Sequence, residues 1–279
     1  MSDVIYSERH VFDGGPPLRL QRSLGLVKPD QPRAIKRALV AAGISWVPLG
    51  LVTVLQTWRF ADSSANSFFS DFSVHARYLI ALPALIFAEN DCIPQFERIV
   101  RHFMDIGLIP DSDMQRYRVA VQSTRRLLNS RYGEMIVPLV SYLSVIPMML
   151  SLSSDFIPQW QRTPAGSFSV AGWWHLLVSL PLLLILVFGW LWRIVLWARF
   201  LMLMASLDLQ LLSSHPDSVG GLRFVSTSLR GFRFISFALG AVVAGAIADR
   251  IAYQGADLLS FKALMIGLMV LILILCAGP

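Results

Sequence analysis

Charge is what this chain has least of. Only 15% of its 279 residues are Asp, Glu, Lys or Arg, while 55% are hydrophobic. A soluble domain carries about 25% charge, so an ordinary soluble enzyme or binding module is excluded. Cysteine is nearly absent too. Cys92 and Cys276 build no disulfide framework and no C-x-x-C pair. Cys92 falls near one face of the bilayer and Cys276 within the last apolar run, so no bond between them is expected. No H-E-x-x-H pair, phosphate loop or other catalytic signature occurs, and no repeat of fixed period. A cleavable leader is not expected either. Seven basic residues and Pro16-Pro17 precede the first apolar run, which is too long a charged region for a signal peptide.

Long apolar runs fill the space that charge leaves. About 20 apolar residues cross a bilayer core, and the mean hydropathy is +0.58. Six runs qualify as spans, at about 38–58, 74–93, 135–154, 173–192, 234–250 and 261–279. The predicted fold is an all-α polytopic transmembrane helical bundle of about six spans (38–279), preceded by a basic arm (1–37). The last run ends in Ala-Gly-Pro with no charged flank. A membrane helix usually ends in interfacial anchors, so the native chain is expected to continue.

The basic residues assign an orientation. Positions 1–37, 94–134 and 193–233 together hold 19 Lys and Arg, and the alternate loops hold 5. Lys and Arg accumulate on the cytoplasmic side. The expectation is a multi-pass membrane protein with its N-terminus on the cytoplasmic side. This topology accounts for the net charge of +6 and the pI of about 9.7 without nucleic acid as a partner.

Within the long inner loop, Phe96, Ile99, Val100, Phe103 and Ile106 recur at helical spacing. Gly107 and Pro110 end that helix, and Asp111 or Ser112 can cap a second one. Met114, Tyr117, Val121 and Leu128 share a face of the second, with Arg116, Arg118, Arg125, Arg126 and Arg131 making it basic. The reading is an amphipathic cytoplasmic hairpin over 95–131. It lies on the inner leaflet or offers anionic lipid headgroups or a protein partner a surface.

Five prolines fall inside spans: Pro48, Pro83, Pro138, Pro147 and Pro181. Each withholds one helix hydrogen bond, and membrane helices tolerate this where neighbours re-satisfy the backbone. Gly240, Ala241, Ala244, Gly245 and Ala248 make a bare face on span five. It suits close packing in the bundle or in a homo-oligomer. Trp190, Trp192, Arg193, Trp197 and Arg199 read as an interfacial belt with snorkelling arginines. The alternative is that Arg193 pairs with Glu89 or Asp208.

Polar chemistry concentrates at one face. Glu89, Asn90 and Asp91 close span two, where Glu89 marks either an inner vestibule or the interface. In Leu207–Phe224, the helix of span four should run to Ser213-Ser214 and stop before Pro216. His-Pro-Asp then turns the chain, and Gly220-Gly221 gives backbone freedom. Were the helix continuous, Asp208 and His215 would share a face. Asp208, His215 and Asp217, with Glu89 or Asp91, could hold a divalent metal, though no tight ligand pair supports it. Gly220, Gly221 and Arg223 could meet an anion. His215-Pro216-Asp217 matches the tripeptide of chaperone-docking loops, without their flanking soluble helices. A structural turn capped by Asp217 accounts for the same residues.

The stretches W-R-I-V-L-W-A-R-F-L (192–201), L-D-L (207–209) and H-P-D-S-V-G-G-L-R-F (215–224), with Ala88-Glu89 and the order of spans, resemble a family of uncharacterised bacterial multi-pass inner-membrane proteins. The resemblance covers most of the chain and implies no activity. It also implies a chain that runs on past a Gly-Pro like Gly278-Pro279. The leading functional expectation is a non-enzymatic transport or transport-associated membrane component. The alternatives are a membrane-embedded metal-dependent enzyme, and a scaffold or sensor that uses the basic hairpin.

Overall fold

The computed structural model describes residues 12, 14–16, 34–60, 63–105, 107–151, 157–163, 167–210 and 228–277. They form an all-helical bundle, with one isolated bridge between Arg162 and Phe168 and no strand among the described residues. The helices are α1 (Ala34–Phe60), α2 (Ser64–Phe69), α3 (Phe72–Asp105), α4 (Met114–Leu128) and α5 (Arg131–Ser151). They continue as α6 (Val170–Ala205), α7 (Ser228–Gly231), α8 (Arg233–Gln254) and α9 (Lys262–Ala277). Five stretches are long and apolar enough to cross a membrane: α1, α3, α6, α8 and Leu258–Leu275. The remaining expected span is the helix α5, which packs along α6.

Helices α3 and α6 make the centre. In their most apolar windows 61% and 50% of residues are buried, against 28% in α1, 22% in α8 and 6% in the last span. Both overrun the expected boundaries. α3 continues without a break through Glu89, Asp91 and Pro94 to Asp105, so the first helix of the expected hairpin is the end of span two. Its buried residues Phe96, Ile99, Val100 and Phe103 are those of the helical stripe. Gly107, at φ 66°, turns the chain out of it. The second helix, α4, packs on α6, and the Tyr117 hydroxyl donates to the Val100 carbonyl at 2.8 Å.

One boundary differs in the other direction. α6 stops at Ala205, and the chain from Leu207 to Gln210 is not helical. The connection after α3 captures it. The Asp208 N–H donates to Asp113 Oδ2 (2.9 Å), and the Gln210 N–H donates to the Leu108 carbonyl (2.9 Å). These bonds replace continuation of the helix at Asp208, and position 215 lies outside the described residues. Asp113 is thus spent on Asp208 and does not cap α4 through its side chain.

The two central spans share one construction. Asp71 caps α3 by accepting from the Val74 N–H, and Ser169 caps α6 by accepting from the Gly172 N–H. A short α turn follows, then a π-helical segment, Ala76–Ala81 in α3 and His175–Ser179 in α6. Leu82-Pro83 and Leu180-Pro181 come next, so Pro follows its cap by twelve residues in both spans. Proline withholds an N–H, and its ring crowds the carbonyl one turn back. A widened π turn relieves that crowding. The local likeness is not a sequence repeat of fixed period, because the residues between cap and Pro differ almost throughout.

Neighbouring helices complete the bonds that proline breaks. The Ile44 carbonyl, four residues before Pro48, accepts from Trp174 Nε1 at 3.1 Å. The Leu177 carbonyl, four before Pro181, accepts from the Tyr142 hydroxyl at 3.1 Å. The Ser179 hydroxyl also donates to the Ser45 carbonyl (2.8 Å). These bonds join α1 and α5 to α6.

The small-residue face of α8 divides. Gly245 is buried against the start of α3, where an added Cβ would sit 2.6 Å from Ala76 Cβ and 3.0 Å from the Phe72 carbonyl oxygen. Gly240 has open space around it, and Ala244 is exposed. Gly245→Ala should therefore lower the melting temperature, at a cost of about 1–3 kcal/mol from overpacking. Gly240→Ala should not lower it, since Ala is the better helix former. Paired thermal melts of the purified variants check this.

Candidate functional site

Glu89 does not stand in an open vestibule. It is 4% exposed, between Arg37 of α1 at 4% and Arg193 of α6 at 1%. Arg37 Nη2 donates to Glu89 Oε2, and Arg193 Nη2 lies 3.3 Å from Oε1. Arg193 also donates to the Gly14 carbonyl at 3.2 Å and stacks over Trp190, 5.1 Å from the ring centroid. A carboxylate cannot be left bare among apolar helices, and here two guanidiniums hold it. The cluster keeps a net positive charge. Arg37 Nε, Arg193 Nε and Trp197 Nε1 have no hydrogen-bond partner among the described residues.

Three residues expected in an interfacial belt thus point inward. Trp190, Arg193 and Trp197 are at most 1% exposed. Trp190 donates to the Leu85 carbonyl (2.9 Å), and Trp197 stacks on Phe96 with centroids 4.3 Å apart. Glu89 draws Arg193 in, because an arginine gains more from a buried carboxylate than from snorkelling. Trp192 is half-buried, and Arg199 meets the hydroxyls of Ser123 and Thr124. Phe12 of the arm is buried, edge-on to Phe96 and Trp197 at 5.3 and 5.5 Å.

The other acidic residues near this end are spread out. Asp91 pairs with Arg233 at 2.8 Å near the surface. Asp208 is exposed beside the α3–α4 connection. His215, Asp217, Gly220 and Gly221 lie outside the described residues. Among the described residues no group of three His, Cys, Asp or Glu could hold a metal ion. Asp208, Glu89 and Asp91 are not drawn together.

The opposite end holds a cavity of about 890 Å³. Asp71, Ser73 and Arg77 of the α3 region, His175 of α6, and Asp249 and Tyr253 of α8 line it. Its floor is the start of α3. A helix N-terminus leaves its first N–H groups unpaired and carries partial positive charge. Asp249 takes the N–H groups of Phe72 (2.8 Å) and Ser73 (2.9 Å), and Asp71 takes that of Val74 (2.9 Å). Two carboxylates from different parts of the chain thus share one helix end. Trp160 Nε1 donates to the second Asp71 oxygen at 3.0 Å, and the Tyr253 hydroxyl donates to the Ser70 carbonyl at 2.9 Å.

Below them the two π segments meet. The Tyr78 hydroxyl and His175 Nδ1 are 3.1 Å apart, both side chains buried. Trp160 stands edge-on to His175 at 5.4 Å. Ser73, 7% exposed, has a buried hydroxyl with no hydrogen-bond partner among the described residues. Gly172 makes room for this corner, since a Cβ there would lie 2.5 Å from the Gln161 carbonyl oxygen. The cavity therefore offers carboxylates, guanidiniums, hydroxyls and an imidazole within a membrane-type bundle. Its signals were in the sequence: Ser63, Ser64, Ser67, Ser70 and Ser73 crowd around Asp71, and His175 interrupts an otherwise apolar span. Intramembrane histidine is rare without a purpose.

No family model, curated protein or solved structure matches this chain.

The Arg37–Glu89–Arg193 cluster makes a measurable claim. Glu89→Gln leaves two buried guanidiniums without a counter-charge and should cost about 3–5 kcal/mol. Arg233→Gln, at the exposed pair, should cost at most about 1 kcal/mol. Comparative thermal unfolding in one detergent checks both. Equal losses would mean that Glu89 is not the anchor.

Proposed function

We propose that this chain is a multi-pass component of the bacterial inner membrane that binds and helps to translocate a small zwitterionic solute. The observation that carries the reading is the Asp71–Asp249 cavity. Two carboxylates, Asp71 and Asp249, line it together with Arg77, Arg250 and serine hydroxyls, and it reaches down to His175. A zwitterion offers an ammonium to the first pair and a carboxylate to the second. Ligand pockets of about 300–1,000 Å³ are typical of small-molecule sites, and this one falls in that range.

The joint beneath the cavity supports movement. Irregular helical segments at the contact between two like elements are one means by which transporters build substrate sites. Here two spans of common construction touch through Tyr78 and His175. The tight Arg37–Glu89–Arg193 cluster and the Phe12 plug close the opposite end, as an outward-open state requires.

Orientation and kinship belong to the same proposal. The 19-to-5 split of basic residues favours a cytoplasmic N-terminus and six spans, with α5 as the sixth. The cavity then opens away from the cytoplasm. The W-R-x-x-L-W-x-R-F and H-P-D-x-x-G-G-L-x-F stretches favour membership of the uncharacterised inner-membrane family that they resemble.

Two measurements test this. In a chain with Cys92→Ala and Cys276→Ala, Ser63→Cys should react with a membrane-impermeant maleimide on intact cells. Arg126→Cys should react only after permeabilisation, and the reverse pattern would overturn the orientation. Separately, melting temperatures of the purified chain are recorded with each of the free amino acids, and with neutral sugars as controls. A ligand at a hundred times its Kd stabilises by about 2.7 kcal/mol, so at least one amino acid should raise the melting temperature. Asp249→Asn, which keeps one acceptor oxygen for the α3 N–H groups, should erase that rise. A panel with no response, or a response kept by Asp249→Asn, would defeat the reading.

A further inference from the structure

A second recess lies at the Arg37 end, between α4 and α6, away from the Asp71–Asp249 cavity. Its volume is about 470 Å³, and Arg116, Val119 and Ser123 of α4 and Arg199, Leu203 and Ser206 of α6 line it. We infer that this groove binds the phosphate of an anionic phospholipid, with Arg199 and Arg116 as its cationic walls.

Arg199 carries the inference. It lies on the last part of α6 and is half-buried. Its Nη1 and Nη2 each reach Ser123 Oγ at 3.2 Å, and Nη1 lies 3.4 Å from Thr124 Oγ1. Among the described residues it meets no carboxylate. Two hydroxyls orient the guanidinium but do not neutralise it. Arg116, across the groove, contacts Asp113 at 3.4 Å while its side chain remains 68% exposed. Ser206 adds a further hydroxyl. A guanidinium held by hydroxyls and lacking a counter-ion is suited to a phosphate, which it can grip with two parallel bonds.

The depth of the groove favours a lipid source over phosphate from solution. The span Val170–Ala205 has 36 residues. At about 1.5 Å per residue, Arg199 stands about 44 Å along the axis from Val170. A bilayer with its headgroups is about 40–45 Å thick, so Arg199 reaches headgroup level when Val170 sits at the opposite surface. The surface leading back from it is apolar. Leu191, Val195 and Met202 share one face of α6 and are 44%, 53% and 67% exposed, and Val119 on the groove's rim is 55% exposed. A phosphate at Arg199 therefore places acyl chains along Val195 and Leu191. Basic pockets between helix ends are a known means of holding anionic headgroups.

The test is native mass spectrometry of the purified full chain with phosphatidylglycerol or phosphatidylcholine of identical acyl chains. The chain should retain phosphatidylglycerol about five-fold better than phosphatidylcholine, and Arg199→Gln with Arg116→Gln should abolish that preference. Arg126→Gln, on the same basic helix but outside the groove, should keep it. Arg116→Gln alone changes an exposed side chain, so it should fold normally and at least halve the preference. Unchanged preference in Arg116→Gln and in a folded double variant would overturn the inference. So would inorganic phosphate at millimolar concentration displacing the bound lipid, because the site would then serve a soluble anion.

Discussion

A carboxylate in an apolar bundle must be paired or displaced, and the response to Glu89 organises one end of this protein. Arg37 comes from the first span, Glu89 from the second and Arg193 from the span at 170–205. These three elements lie far apart in sequence, and one charge ties them together. Trp190 and Trp197 then enclose the cluster, and Phe12 seals it from the chain's N-terminal side. The long α3 helix follows from the same pairing. Its polar stretch Glu89-Asn90-Asp91 would otherwise mark the end of a span, yet it continues because Glu89 is neutralised in place and Asp91 has Arg233.

The other end is organised by unpaired backbone. Helix α3 begins inside the bundle with its first N–H groups aimed at Asp71 and Asp249. That geometry pulls α8 against α3 closely enough to require Gly245. Proline then shapes the middle. Pro83 and Pro181 each follow a π turn, Pro48 frees a carbonyl that Trp174 takes, and Pro181 one that Tyr142 takes. Bonds lost within a helix become bonds between helices, which in a membrane have few substitutes.

Much of the architecture was legible from residue pattern. Runs such as 38–58 and 173–192 are too apolar for any other environment, and helices occupy both. The stripe Phe96, Ile99, Val100, Phe103 and Ile106 was read as the apolar face of a hairpin on the inner leaflet; its first four residues are instead buried in the bundle as the end of α3, and Ile106 lies outside the described residues. The failures share a cause. Arg193 and the tryptophans around it have the composition of an interfacial belt, and composition does not record which way a side chain points. The helix at 170–205 was expected to run past 210, because nothing local stops it before Pro216. A bond from Asp208 to Asp113, 95 residues earlier in sequence, ends it instead.

The sequence by itself determined the solvent. With so little charge and so many apolar runs, this chain forms five helices long and apolar enough to cross a bilayer, where every backbone group is satisfied within the helix. The tertiary structure decided where the polar residues meet. Asp71 and Asp249 share a helix end, and Tyr78 and His175 share a hydrogen bond, although each pair is separated by about a hundred residues or more. No periodicity within a helix carries that information. It arises when helices pack, because each buried charge or donor must find its partner on a neighbour.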